Sequence, residues 1–132
     1  MGHRAEATYE VKSWDEAPYS EVEGGPKLTR ATVVRTYSGD VEGDATVEYL
    51  MTYRPDGSAS FVGFERIVGA IGDRLGSFVL QHAGTFEGGV AKAEFHVVPG
   101  TGTRDLHGLT GGGSFESGHA ARYPFTFDYD FG

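Results

Sequence analysis

Glu65 and His82 are the two side chains whose types and placement point to acid–base chemistry. A carboxylate beside an imidazole in apolar surroundings can take up or release a proton near neutral pH. His82 lies in Gly76-Ser77-Phe78-Val79-Leu80-Gln81-His82-Ala83-Gly84, where apolar residues alternate with others, and Glu65 lies in a matching run, Phe61-Val62-Gly63-Phe64-Glu65-Arg66-Ile67. Whether the two meet depends on how these segments pair, and the turns between them supply the register.

Gly72-Asp73 suits a two-residue turn with glycine at its first central position, which sets Ile67 opposite Phe78, Glu65 opposite Leu80 and Gly63 opposite His82. Gly88-Gly89 suits a second two-residue turn and sets Phe86 opposite Ala91, His82 opposite Phe95 and Leu80 opposite Val97. Pro55-Asp56-Gly57 reads as a three-residue loop ending in a left-handed glycine, with Met51 opposite Phe61, Tyr49 opposite Gly63 and Val47 opposite Glu65. In this register Glu65 and His82 are diagonal neighbours on one face, roughly 7 to 8 Å apart at Cα, within reach of long side chains. Gly63, opposite His82, is expected to leave open volume beside the ring. An odd turn in place of an even one would reverse a strand and bring Arg66 and Gln81 inside instead.

The elements that position the pair are strands. Twenty-one glycines fall at intervals between β-branched and aromatic runs, as turns do. The expected strands are Ala5 to Ser13, Leu28 to Tyr37, Ala45 to Arg54, Ser60 to Ile71, Leu75 to Glu87, Val90 to Val98, Leu106 to Phe115 and Arg122 to Phe131. The Pro- and Glu-rich stretch Glu16 to Pro26 reads as a loop or lid. The shared face carries Tyr49, Met51, Tyr53, Phe61, Glu65, Ile67, Phe78, Leu80, His82, Phe86, Phe95 and Val97, joined by Tyr123, Phe125, Phe127, Tyr129 and Phe131 of the last strand. Such a set fits an all-β fold, a closed antiparallel β-barrel of about eight strands with room for one small ligand, with a sandwich as the alternative. Val62, Phe64 and Val68 fall on the opposite face, together with Glu48, Arg66 and Gln81, and the apolar members predict a homo-oligomer contact.

Composition narrows the function. The 132 residues suit one domain spanning 1–132, and a net charge of −8 argues against a nucleic-acid partner. With no cysteine there is no thiolate chemistry, and a reducing cytoplasmic location is expected. Neither a signal peptide nor a bilayer-length apolar run is present, so no membrane association is expected. His96 with Glu94 lacks the further ligands of a metal site, and His3, His107 and His119 are assigned to a terminus or loops. Ser77 and Ser114 lack a nucleophile-elbow context, and the glycines from Gly100 to Gly113 lack the helix and Lys-Ser/Thr of a phosphate loop. No cofactor and no metal is expected.

The phrases Phe61-Val62-Gly63-Phe64-Glu65, Gly76 to His82 and Val97-Val98-Pro99-Gly100-Thr101-Gly102, in that order, together with Val11-Lys12-Ser13-Trp14 and Gly24-Gly25-Pro26-Lys27, resemble the bacterial domain-of-unknown-function family 3224. The resemblance spans nearly the whole chain and implies a barrel similar to allene oxide cyclase. The stretch from Pro99 to Gly102 followed by Leu106, Gly108 and Gly111 also resembles the Gly-Thr-Gly turn and glycine-spaced strand of cyclase and dirigent barrels. Those relatives close or orient reactive small molecules, but no catalytic position of theirs transfers residue by residue.

Three functions fit these residues. One is a binding module holding a hydrophobic or aromatic small molecule among Tyr49, Tyr53, Phe61, Phe78 and Phe95, with Trp14 over the mouth and Glu65, His82 and Tyr49 at the ligand's polar end. A second is a cofactor-free isomerase or cyclase with Glu65 and His82 as catalytic acid and base. The third is a structural homo-oligomer with a filled barrel, in which Glu65 and His82 satisfy only each other.

Overall fold

A computed structural model describes residues 2–118 and 122–131; His119 lies outside them. Eight strands, β1 His3–Ser20, β2 Lys27–Gly39, β3 Val41–Tyr53, β4 Ala59–Ile71, β5 Arg74–Glu87, β6 Val90–Val97, β7 Leu109–Ser117 and β8 Tyr123–Phe131, form a closed barrel in chain order. All neighbouring pairs are antiparallel, and β8 returns to β1, with Ala7 opposite Phe125. Closure excludes the sandwich, because a closed sheet has no free edge. No helix among the described residues is long and apolar enough to cross a membrane.

The register derived from the turns is the one observed: Gly63 opposes both Tyr49 and His82, Leu80 opposes Glu65 and Val97, and Phe95 opposes His82. Gly72 at φ +61° and Gly57 at φ +90° take the left-handed conformations that these turns need. Glu65 and His82 therefore face inward, while Arg66 and Gln81 are exposed on the outer face. Glu94 and His96 also point outward, and among the described residues no group of three or more metal-ligating side chains forms.

Two elements differ from expectation. The stretch from Glu16 to Ser20 is not a loop but the end of β1, paired through bulges with β2, so the connection shrinks to residues 21–26. Pairing with β2 outweighs the local turn composition, and bulges after Val11 and Pro18 absorb the misfit. Leu106 does not begin a strand; it lies in a 3-10 turn, Arg104–Leu106, and is fully buried.

That turn belongs to a plug. Because β6 ends at Val97, the start of β5 has no strand partner on that side. Residues 98–103 substitute for one: the Val98 and Thr103 amides donate to the carbonyls of Val79 and Ser77 at 2.9 Å. The hydroxyls of Thr101 and Thr103 accept from the amides of Val79 and Ser77 at 3.1 and 2.9 Å. Leu106 is thereby fully buried in the core cluster that also holds Ile71, Phe78, Leu109 and Phe127, and this end of the barrel is filled. Buried donors and acceptors that find such partners avoid the cost of an unmade bond.

The outer face of β4 is apolar, as the alternation implies: Val62, Phe64 and Val68 are 51 to 57% exposed, flanked by Leu50 on β3 and Leu75 on β5.

Candidate functional site

Strand β2 supplies a residue that sequence reasoning passed over. Its inward face reads Thr29, Ala31, Val33, Arg35, Tyr37, all buried. Arg35 thus projects into the barrel opposite the small Ala45, and its guanidinium stacks 4.4 Å from the centre of the Tyr9 ring.

Glu65 accepts three hydrogen bonds at the centre of the barrel. His82 Nε2 lies 2.7 Å from Oε1, Arg35 Nη1 donates to the same oxygen at 3.3 Å, and the Tyr37 hydroxyl donates to Oε2 at 2.5 Å. Arg35 Nη2 extends the network by donating to the Tyr49 hydroxyl at 2.7 Å. Burial pushes the Glu65 carboxyl up, but the Arg35 charge and the bonds from His82 and Tyr37 outweigh it, so the carboxyl stays below its ordinary value. Burial and the nearby Glu65 charge hold Tyr37 well above the usual phenol range. Tyr9 is pushed up to about 12 by burial, against the pull of Arg35. The network is therefore an ionised carboxylate, a guanidinium and protonated phenols. An ionised carboxylate only accepts, so His82 carries a proton on Nε2. His82 Nδ1 and Arg35 Nε are buried without a hydrogen-bond partner among the described residues.

The other end of the barrel, at the β5–β6 turn, is open. A cavity of about 370 Å³ enters there, within the range of small-molecule sites. Tyr9 and Trp14 from β1, Tyr49 and Met51 from β3, Phe61 from β4 and Phe115 from β7 line it, and Arg35 is the one charged residue on its wall among the described residues. Trp14 is half exposed at the mouth, its ring stacked 6.2 Å from Tyr49. Its indole N–H donates to Glu16, which also accepts from the hydroxyls of Thr29 and Tyr53 at 2.6 Å each. Burial pushes Glu16 up, yet these three bonds bring its carboxyl below the ordinary value. Glu16, expected in a solvated loop, instead organises the rim.

The sequence-derived residues divide among these regions. Tyr49, Phe61 and Trp14 line the cavity. Tyr53 sits beside the rim with its hydroxyl engaged by Glu16, not turned to the cavity. Phe78 stacks on Phe127 in the plugged half, with ring planes 6° apart, and Phe95 stacks on Phe125; neither borders the cavity. Glu65 and His82 meet as expected, but they are 0% and 1% exposed and lie behind Arg35 and Tyr49 instead of on the wall. The open volume expected at Gly63 is filled by Tyr49: a Cβ at Gly63 would clash with the Glu48 carbonyl and come 2.8 Å from Tyr49 Cδ1. That close approach lets the Tyr49 ring lie across Gly63, its centre 6.1 Å from that of His82.

Arg35 and Tyr37 were legible in principle. The Pro55-Asp56-Gly57 loop sets Val47 opposite the inward Glu65, and β2 pairs Val33 with Val47 around the Gly39-Asp40 turn, so alternation carries Arg35 and Tyr37 inward as well. An arginine on an apolar face argues against that register until a buried carboxylate is known to meet it.

A family model described as proteins of unknown function, DUF3224, matches residues 5–129. The chain belongs to the DUF3224 family. A member of DUF3224 from Shewanella oneidensis MR-1, itself of unknown function and solved by crystallography at 1.84 Å, shares 28% identity with a TM-score of 0.81. The alignment covers 100% of this chain and 98% of that one. No curated protein matches the chain.

Proposed function

We propose that this DUF3224 protein binds a hydrophobic or aromatic small molecule in the open half of its barrel. The supporting observation is the cavity itself, a 370 Å³ space with an aromatic wall and one buried cation. Aromatic walls contribute large apolar area and favour flat ligands, while an isolated polar group fixes orientation. Binding is favoured over catalysis by Glu65 and His82 because both lie behind the wall and the carboxylate already accepts three bonds. A general base must lie within hydrogen-bond reach of the proton it removes, and neither group borders the cavity.

The uncharged probe N-phenyl-1-naphthylamine tests this reading. It should brighten on binding and quench Trp14, the single tryptophan, which stands at the cavity mouth. Ala91 lines the cavity, so Ala91→Phe should abolish the brightening while the thermal unfolding transition seen by circular dichroism persists. Equal brightening by both proteins would place the probe elsewhere and sink the proposal.

We also infer that the outward face of β4 contacts a second copy of the chain. Leu50, Val62, Phe64 and Val68 form an exposed apolar patch, and Arg30 and Arg66 share the face with Asp44 and Glu48, so one surface offers both signs of charge. A two-fold contact requires such self-complementarity. Phe64→Asp should reduce the mass measured by light scattering to that of one chain; a wild type that is already monomeric at high concentration would rule the contact out.

A further inference from the structure

We infer that the molecule the cavity takes presents an uncharged carbonyl oxygen to Arg35 and Tyr49; this rests on the binding reading above and names its ligand class. A guanidinium has five N–H donors in a fixed fork. Arg35 commits Nη1 to Glu65 and Nη2 to Tyr49, while Nε has no partner although the residue is only 5% exposed. Arg35 and Tyr49 both line the cavity, so an acceptor entering there meets a wall whose polar side chains hold donor capacity that the protein leaves unmatched. Tyr49 adds a second donor: its oxygen accepts from Arg35, which leaves its own O–H hydrogen to give, and its side chain borders the same cavity. Two donors on one wall match the two lone pairs of a carbonyl oxygen.

Charge decides between a carbonyl and a carboxylate. The Arg35 cation is already matched by the Glu65 carboxylate, 3.3 Å away. A second anion would face one cation shared by two carboxylates inside an aromatic wall, with its hydration removed. A neutral carbonyl gains a charge-assisted bond from Arg35 and brings no charge to bury. The remaining wall, with Phe61, Phe115 and Met51, fits a flat apolar body attached to that carbonyl.

Equilibrium dialysis with three probes of one ring system tests the assignment: 2-acetylnaphthalene, 2-ethylnaphthalene and 2-naphthoate. Wild-type protein should bind the acetyl compound about tenfold more tightly than the ethyl compound, the difference expected for one hydrogen bond from a charged donor. It should bind naphthoate most weakly. Tyr49→Phe, which keeps the ring, should shrink the acetyl preference, and the paired variant Arg35→Met/Glu65→Gln, which removes both charges together, should abolish it, the preference being read in each protein as the ratio of acetyl to ethyl affinity. Equal affinity for the acetyl and ethyl compounds would overturn the carbonyl assignment and leave the cavity reading intact. Tightest binding of naphthoate would replace it with an anion site. Retention of none of the three by wild type would overturn the cavity reading itself.

Discussion

Arg35→Met is expected to destabilise the barrel by about 3 to 5 kcal/mol, the range for removing one partner of a buried ion pair. Glu65 is fully buried, and among the described residues Arg35 is the one guanidinium or ammonium group that bonds to it. Without the guanidinium, the carboxylate keeps the bonds from Tyr37 and His82 but loses the charge that holds it ionised. Denaturant titration of Arg35→Met and of Arg35→Met/Glu65→Gln separates the two contributions. The paired variant should recover most of the loss, since it leaves no uncompensated charge. If both proteins are equally destabilised, packing of the arginine stem and not its charge is what matters.

The same network sets an acid limit. The folded Glu65 carboxyl lies below its ordinary value of 4.5, so the folded state holds its proton less firmly than the unfolded chain. Its contribution is fully present above about pH 4.5 and is lost as pH falls from there through the folded value. Glu65→Gln should flatten this acid-side decline.

Phe127→Ala is expected to cost a similar amount, about 3 to 5 kcal/mol, by a different route. Phe127 is fully buried in the plugged half, where it stacks on Phe78 at 5.9 Å and on Tyr129 at 5.4 Å between ring centres. Truncation leaves a void among side chains already fixed by the Leu106 plug, so collapse around it is limited. Binding of N-phenyl-1-naphthylamine well below the unfolding temperature should be unaffected, because Phe127 does not border the cavity. A large loss of affinity in Phe127→Ala would mean that the two halves are not separate.

Much of the fold was legible because turns and alternation are local. The Gly72-Asp73, Gly88-Gly89 and Pro55-Asp56-Gly57 turns each contained enough chemistry to fix a register, and each of those registers is observed. They aligned Glu65 with His82 and turned Arg66 and Gln81 outward. The Glu16 to Ser20 segment differs because its composition is that of a loop, and only pairing with Leu28 to Ala31 across the connection of residues 21–26 makes it a strand.

The site itself depended on contacts that no local pattern encodes. The inner face of every strand is determined by sequence alternation, but how far along the barrel each inward side chain lies is determined by shear and by what closes the ends. Phe78, Phe95 and Phe61 share one alternation, yet the plug at Leu106 buries the first two on the filled side and leaves Phe61 at the cavity. Arg35 becomes intelligible only when Glu65, thirty residues away in sequence, is seen to meet it. The sequence by itself determined most of the strands, the pairing of β3 with β4, β4 with β5 and β5 with β6, and the juxtaposition of Glu65 with His82, because backbone turns and a period of two suffice for that. Only the tertiary structure decided that this pair lies behind a wall with Arg35 in front, because the depth of a side chain in a closed barrel is a property of all eight strands together.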